Sequence, residues 1–189
     1  LNSRLALAEK EKESAVELAK ANLKNSLQEE LAKKDKELTE LKATTQKNPF
    51  IKDYLERLEN SKKYLILVAE TMPEEKYNYK ATPESMSFAE NLLHIGYALD
   101  WHSQSLLGER ESRVWKTDTV FKVANKTKEE MIATVNKAYD EDINLIKEFD
   151  TKQLNDELDY FGLNRTKRQI FLLLADHITH HRTTFGFST

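Results

Sequence analysis

At 189 residues the chain is long enough for one ordinary domain plus an appendage. Its 29 Lys and Arg stand against 32 Asp and Glu, and a net charge of -3 carries no electrostatic footprint for nucleic acid or an anionic membrane. Cysteine is absent, so disulfides and Cys-based zinc sites are excluded, and a reacting thiol would have to arrive with a substrate or cofactor.

No apolar run approaches the roughly 18 residues of a membrane span. The longest, Tyr64-Leu65-Ile66-Leu67-Val68-Ala69, has the length of a core-helix segment. A cytoplasmic location is expected, although the chain begins at Leu1 and a leader preceding it stays open. With only four glycines and three prolines, and little strand-like alternation, the composition points to a mostly helical protein.

Residues 1–47 contain no Gly, Pro or aromatic residue and are rich in Ala, Leu, Glu and Lys, all strong helix formers. Glu29–Lys33 and Glu30–Lys34 have the favourable i,i+4 order. Leu23, Leu27, Leu31, Leu38 and Leu41 form a stripe whose steps of 4, 4, 7 and 3 break a clean heptad, and Lys34 falls at a core-like position. A long exposed helix with weak coiled-coil character is expected; a charged single helix or partly frayed linker is the alternative.

Asn48-Pro49 marks the boundary, with Asn48 as helix N-cap and Pro49 at the first helical position. The helix that follows, about 49–71, carries Ile51, Leu55, Leu58, Leu65 and Val68 at core-like spacing, and Met72-Pro73 stops it. Three more helices open on capping boxes: Ser87-Phe88-Ala89-Glu90, running to about Leu107; Thr127-Lys128-Glu129-Glu130, running to about Phe149; and Thr166-Lys167-Arg168-Gln169, running to about Arg182. Four amphipathic helices over 48–189 make an all-α four-helix bundle, preceded by the 1–47 extension. The connections 72–86 and 108–126 are long enough to carry the chain back across an end of the bundle.

All five histidines lie on two of these helices. In the last one, Ile170, Leu173, Leu174, His177 and His181 share a stripe, so imidazoles replace leucines at its end. His177 and His181 are one turn apart, about 6 Å along the axis, and form a two-point metal clamp when neutral. His94 is the natural third ligand, and three histidines leave one coordination position open, as in catalytic zinc sites. The rival reading is a bundle end sealed by hydrogen-bonded imidazoles. His102 and His180 are expected outside the ligand set or at the surface, and Asp176 points about 100° away from the pair. Tyr97 and Trp101 share the neighbouring face and would wall a pocket beside a metal; Trp101 and Trp115 otherwise read as core. No Glu-x-x-His pair of the di-iron kind and no Ser-His-Asp order or Gly-rich phosphate loop is present.

Three stretches together resemble the DinB-like (YfiT-like) metalloenzyme family. They are Tyr79–Glu90 followed by Leu93-His94-Ile95, Thr166–Gln169 leading into Leu172-Leu173-Leu174, and Asp176-His177-Ile178-Thr179-His180-His181-Arg182. The resemblance covers about 49–182. It implies a four-helix bundle in which His94, His177 and His181 bind a divalent metal, with water at the open position, and a metal-dependent hydrolase or thiol transferase activity. Two departures stand out. The family continues His-His-Arg with Gly-Gln and further helix, where this chain has Thr183-Thr184 and ends on Phe185-Gly186-Phe187-Ser188-Thr189, so the last helix is expected to stop just beyond His181. Segment 1–47 is also foreign to the pattern.

The donor set suits zinc, nickel, iron or copper. A small-molecule substrate, a thiol among the options, and further copies of the chain are the expected partners; nucleic acid and membrane are not. The reading from another class is a non-catalytic interaction protein that oligomerises through segment 1–47.

Overall fold

The computed structural model describes residues 2–183. Five helices dominate: α1 (Asn2–Lys47), α2 (Pro49–Thr71), α3 (Phe88–Leu99), α4 (Lys128–Lys147) and α5 (Lys167–Thr183). The chain divides into two compact units, Leu1–Ala43 and Thr44–Thr189. The expected effect of the Phe185–Thr189 stretch lies outside the described residues, and α5 itself continues two residues past His181.

In α1, Leu23 and Leu31 are each 63% exposed, and Leu27 and Leu38 are exposed too. Among the described residues its ion pairs include Glu17–Lys20, with the anion first, and Lys33–Glu37, Lys34–Glu37 and Lys36–Glu40, with the cation first. The Glu-first pairs expected at 29–33 and 30–34 are not the ones formed. Such exposed pairs contribute only a few tenths of a kcal/mol each, so this helix rests mainly on intrinsic propensity.

The second unit is a bundle whose helices start where the capping chemistry places them. Asn48 accepts from the Ile51 amide. Ser87 and Thr127 close reciprocal boxes with Glu90 and Glu130, and Thr166 does so with Gln169. The core joins Ile51, Leu58 and Leu65 of α2, Leu92, Ile95 and Leu99 of α3, Val135, Tyr139 and Ile146 of α4, and Ile170, Phe171 and Leu174 of α5. Packing runs from α2 to α4, α4 to α3, α3 to α5, and α5 back to α2. Chain neighbours α2 and α3 therefore lie on a diagonal, as do α4 and α5. The diagonal crossings use 72–87, as expected, and 148–166. The long 108–127 connection instead joins adjacent helices, so its length serves something other than crossing.

Two local features depart from a plain bundle. Beyond Leu99 the helix widens into a π-helical stretch, Asp100–Leu107, ending with the Gly108 amide bonded to the Ser103 carbonyl five residues back at 2.7 Å. Side chains occupy carbonyls that an α-helix would use: His102 Nδ1 reaches Ala98 O at 2.8 Å and the Ser103 hydroxyl donates to Leu99 O. Gly108 is required there, because a Cβ would meet Leu145 at 2.7 Å and the Gln104 carbonyl at 2.9 Å. The second feature is an antiparallel hairpin, β1 (Glu157–Tyr160) and β2 (Leu163–Thr166), in register Tyr160↔Leu163. Its two-residue turn puts Phe161 at φ 55 and Gly162 at φ 80, the signs a type I′ turn demands. Eight paired residues were too few to register as strand against a helical background, and Phe-Gly is an uncommon choice for that turn.

Candidate metal centre

Helix α3 contributes His94 and helix α5 contributes His177 and His181, and the packing of these two helices brings the three rings together. One ligand atom from each lies within 4.8 Å of the other two. The rings of His94 and His181 are 4.4 Å apart, His177 and His181 4.5 Å, and His94 and His177 5.1 Å. The Nε2 atoms of His94 and His177 face each other at 3.2 Å. Two nitrogens bound to one tetrahedral zinc, each about 2.0–2.1 Å from it, would stand roughly 3.3 Å apart. Among the described residues this is the one group of three or more His, Cys, Asp or Glu side chains gathered in this way.

The electrostatics keep the imidazoles neutral, which ligation requires. Burial, aided by His177 and then Lys122, brings His94 down to about 4. Burial, with His94, His177 and His180 behind it, does the same for His181. Burial and then His180 lower His177.

A supporting residue absent from the sequence reading is Asn91. Its amide nitrogen donates to the carbonyls of Met86 and Ser87 at 3.2 and 3.1 Å. That leaves its oxygen to accept from His181 Nδ1 at 2.9 Å, so the proton of His181 sits on Nδ1 and Nε2 carries the lone pair that ligation needs. Asn91 is one turn before Ile95 on α3, and an Asn on the apolar stripe of a helix beside a candidate ligand is the signal that could have found it.

His102 is buried, not at the surface. Its Nδ1 can only donate to the Ala98 carbonyl, so Nε2 accepts from the Tyr160 hydroxyl at 3.1 Å. Both nitrogens are thereby occupied, although the ring lies only 6.0 Å from that of His177. His180 is exposed beside His181. Asp176 is exposed and pairs with Arg57 at 3.5 Å, away from the triad.

The aromatic surroundings are redistributed relative to expectation. Tyr97 stacks beside His94, with ring centroids 6.4 Å apart. Trp101 instead stacks on Phe161 of the hairpin at 5.2 Å. The ring against His94 is Trp115, edge-on at 5.2 Å, with the Lys122 ammonium 3.1 Å above its centroid. Both come from the 108–127 connection. Buried Asp100 anchors that loop through Arg110 and Arg113, and Asp118 holds it through Arg113 and the Phe121 amide. Gly96 leaves room for the Phe121 ring, which a Cβ would meet at 2.9 Å. The length of the connection thus serves to lay an aromatic and a cation beside His94.

A model of the DinB superfamily matches residues 57–185, a span that takes in all three histidines. The crystal structure of a DinB-like protein, YjoA, from Bacillus subtilis superposes with a TM-score of 0.56 at 21% sequence identity. The match covers 70% of this chain and 86% of that one, a likeness of fold. None of the curated proteins matches the chain.

Proposed function

Because the chain belongs to the DinB superfamily, we propose that its bundle binds a divalent metal through His94, His177 and His181 and acts as a metal-dependent hydrolase or thiol transferase. The observation that carries this reading is the convergence of three neutral imidazoles, one of them oriented by Asn91, at a spacing suited to a single ion. Bound there, the metal supplies Lewis acidity that brings the pKa of water or of a substrate thiol at its open position towards neutrality. The rest falls to the protein. Asn91 fixes the tautomer of His181, while Trp115 and Tyr97 limit the water reaching His94. His102 has both nitrogens engaged and is not available as a general base in this arrangement. Metal analysis of protein purified without chelator or added metal tests the reading. About one equivalent of zinc, nickel, iron or copper, lost on substituting any of the three histidines, is expected; metal-free protein that also fails to take up added ion refutes it.

The exposed leucines of α1 favour a second reading that can coexist with the first. In it, copies of the chain associate through this helix.

A further inference from the structure

The seam between α2 and α5 carries a polar cleft that the metal centre does not use. Its volume is about 40 Å³. One wall is a single face of α2, with Tyr54, Arg57 and Ser61 at i, i+3 and i+7; the other is a face of α5, with Thr179 and Arg182 at i and i+3. Three hydroxyls and two guanidiniums converge there. Arg182 donates to the Ser61 hydroxyl at 3.2 Å and lies over the Tyr64 ring at 5.0 Å. Among the described residues no carboxylate pairs with it. Arg57 reaches Thr179 at 3.4 Å and is paired at 3.5 Å with Asp176, which stands on the solvent side and is itself largely exposed.

The second, independent feature is Tyr54. It lines the same cleft, is only 4% exposed, and its hydroxyl has no hydrogen-bond partner. A buried phenol without a partner costs free energy that a ligand accepting its proton would recover. The groups offered are chiefly donors, two planar guanidinium forks and the phenol; the Ser61 hydroxyl is shared with Tyr139 and Arg182, and that of Thr179 donates to the Ala175 carbonyl. Such a set matches oxygen acceptors carrying negative charge and leaves a cation nothing to bind.

We propose that this seam is a binding site for a small oxyanion, a phosphate or carboxylate group, held by Arg57, Arg182 and the Tyr54 hydroxyl. Arg182 forks onto two of its oxygens, Tyr54 donates from below, and Arg57 turns from Asp176 to close the mouth. The site opens on the α2 side of α5, and it needs no metal at the histidine triad. Asp142, fully buried and close enough to influence the Tyr54 phenol, does not repel such a ligand while protonated, and burial favours its protonated form.

The experiment uses the full chain, free of metal. Thermal unfolding and amide NMR shifts are followed while inorganic phosphate or acetate is titrated at ionic strength held constant with sodium chloride. A saturable response with phosphate alone identifies the phosphate source; one with acetate alone identifies the carboxylate source; either supports the site. Arg57→Gln and Tyr54→Phe should each weaken binding by about tenfold, the size expected of a lost charge-assisted bond. Tyr54→Phe should not destabilise the ligand-free protein, since its hydroxyl has no partner to lose. His177→Ala should leave binding unchanged, which separates this site from the metal centre. No saturable response beyond that of chloride overturns the proposal, as does undiminished binding in both Arg57→Gln and Tyr54→Phe.

Discussion

Asn91 and His181 are ninety residues apart in the chain and meet at 2.9 Å, amide oxygen to Nδ1. The contact has only one polarity, because the Asn91 amide nitrogen is committed to two backbone carbonyls. A single buried amide on α3 therefore decides which nitrogen α5 presents to the other two imidazoles. Asn91→Ala should lower the affinity for zinc by about 10- to 100-fold, the usual effect of removing a hydrogen-bond partner from a ligating imidazole. Competition with a chromophoric chelator reads the affinity directly, apart from any change in folding. Unaltered affinity would show that the tautomer is fixed in some other way.

The triad and its neighbour should behave differently towards metal. An ion that binds only the folded chain stabilises it by about 2.7 kcal/mol when its free concentration is about a hundred times Kd. His177→Ala should lose that gain and His102→Ala should keep most of it, because both nitrogens of His102 are already engaged. The pH range should be unusual. Burial holds His94 and His181 at about 4 in the folded chain and lowers His177 as well, so protons compete with metal at lower pH than they would for ordinary imidazoles. Melting with and without zinc at pH 7.5, 6 and 4.5 measures this. A zinc response equal in all three proteins contradicts the assignment.

Much of this architecture was legible from local chemistry. The caps at Asn48, Ser87, Thr127 and Thr166 involve contacts three residues apart, so the sequence displays both partners. The convergence of the three histidines was legible for a different reason: imidazoles on an apolar face are conspicuous, and all five lie in two short segments. What escaped was whatever depends on partners distant in the chain. Trp115 reads as core until Asp100 and Arg113 fold its loop over His94. Whether His102 ligates or is engaged elsewhere turns on Tyr160, which arrives on a hairpin of eight residues. The π-helical stretch is likewise set by side chains capturing carbonyls, which spacing alone does not reveal.

The N-terminal helix should be separable from the bundle. Leu23, Leu27, Leu31 and Leu38 are exposed, and among the described residues the core and the side chains packed against it begin at Phe50. Removing residues 1–47 is expected to leave the melting temperature of the bundle within about 2 °C, the scatter of substitutions that touch no core. If copies associate through the leucine stripe, the same deletion should convert a concentration-dependent oligomer to a monomer in sedimentation equilibrium. A large fall in melting temperature would make α1 an integral element of the bundle.

The last prediction concerns Asp142, which is fully buried beside Ser103, whose hydroxyl already donates to the Leu99 carbonyl. Burial pushes its carboxyl from 3.8 up to about 7. In the unfolded chain the group returns to its ordinary value, so between about 4 and 7 the folded state holds a proton that the unfolded state releases. This contribution is fully present below pH 3.8 and is lost as pH rises through 7. The buried histidines act in the opposite sense: His94, His102 and His181 fall from 6.5 to about 4 through burial, so their contribution is lost as pH drops through that window. A single stability profile would mix the two, whereas the difference between wild type and Asp142→Asn isolates the carboxyl. The amide is neutral at every pH, so the variant should match wild type near pH 4 and exceed it at pH 8 by on the order of a few kcal/mol. Urea unfolding of metal-free protein at both values measures the gap. A gap that is constant with pH, or that widens towards acid, would mean that Asp142 is ionised in the folded chain and has found a partner for its charge.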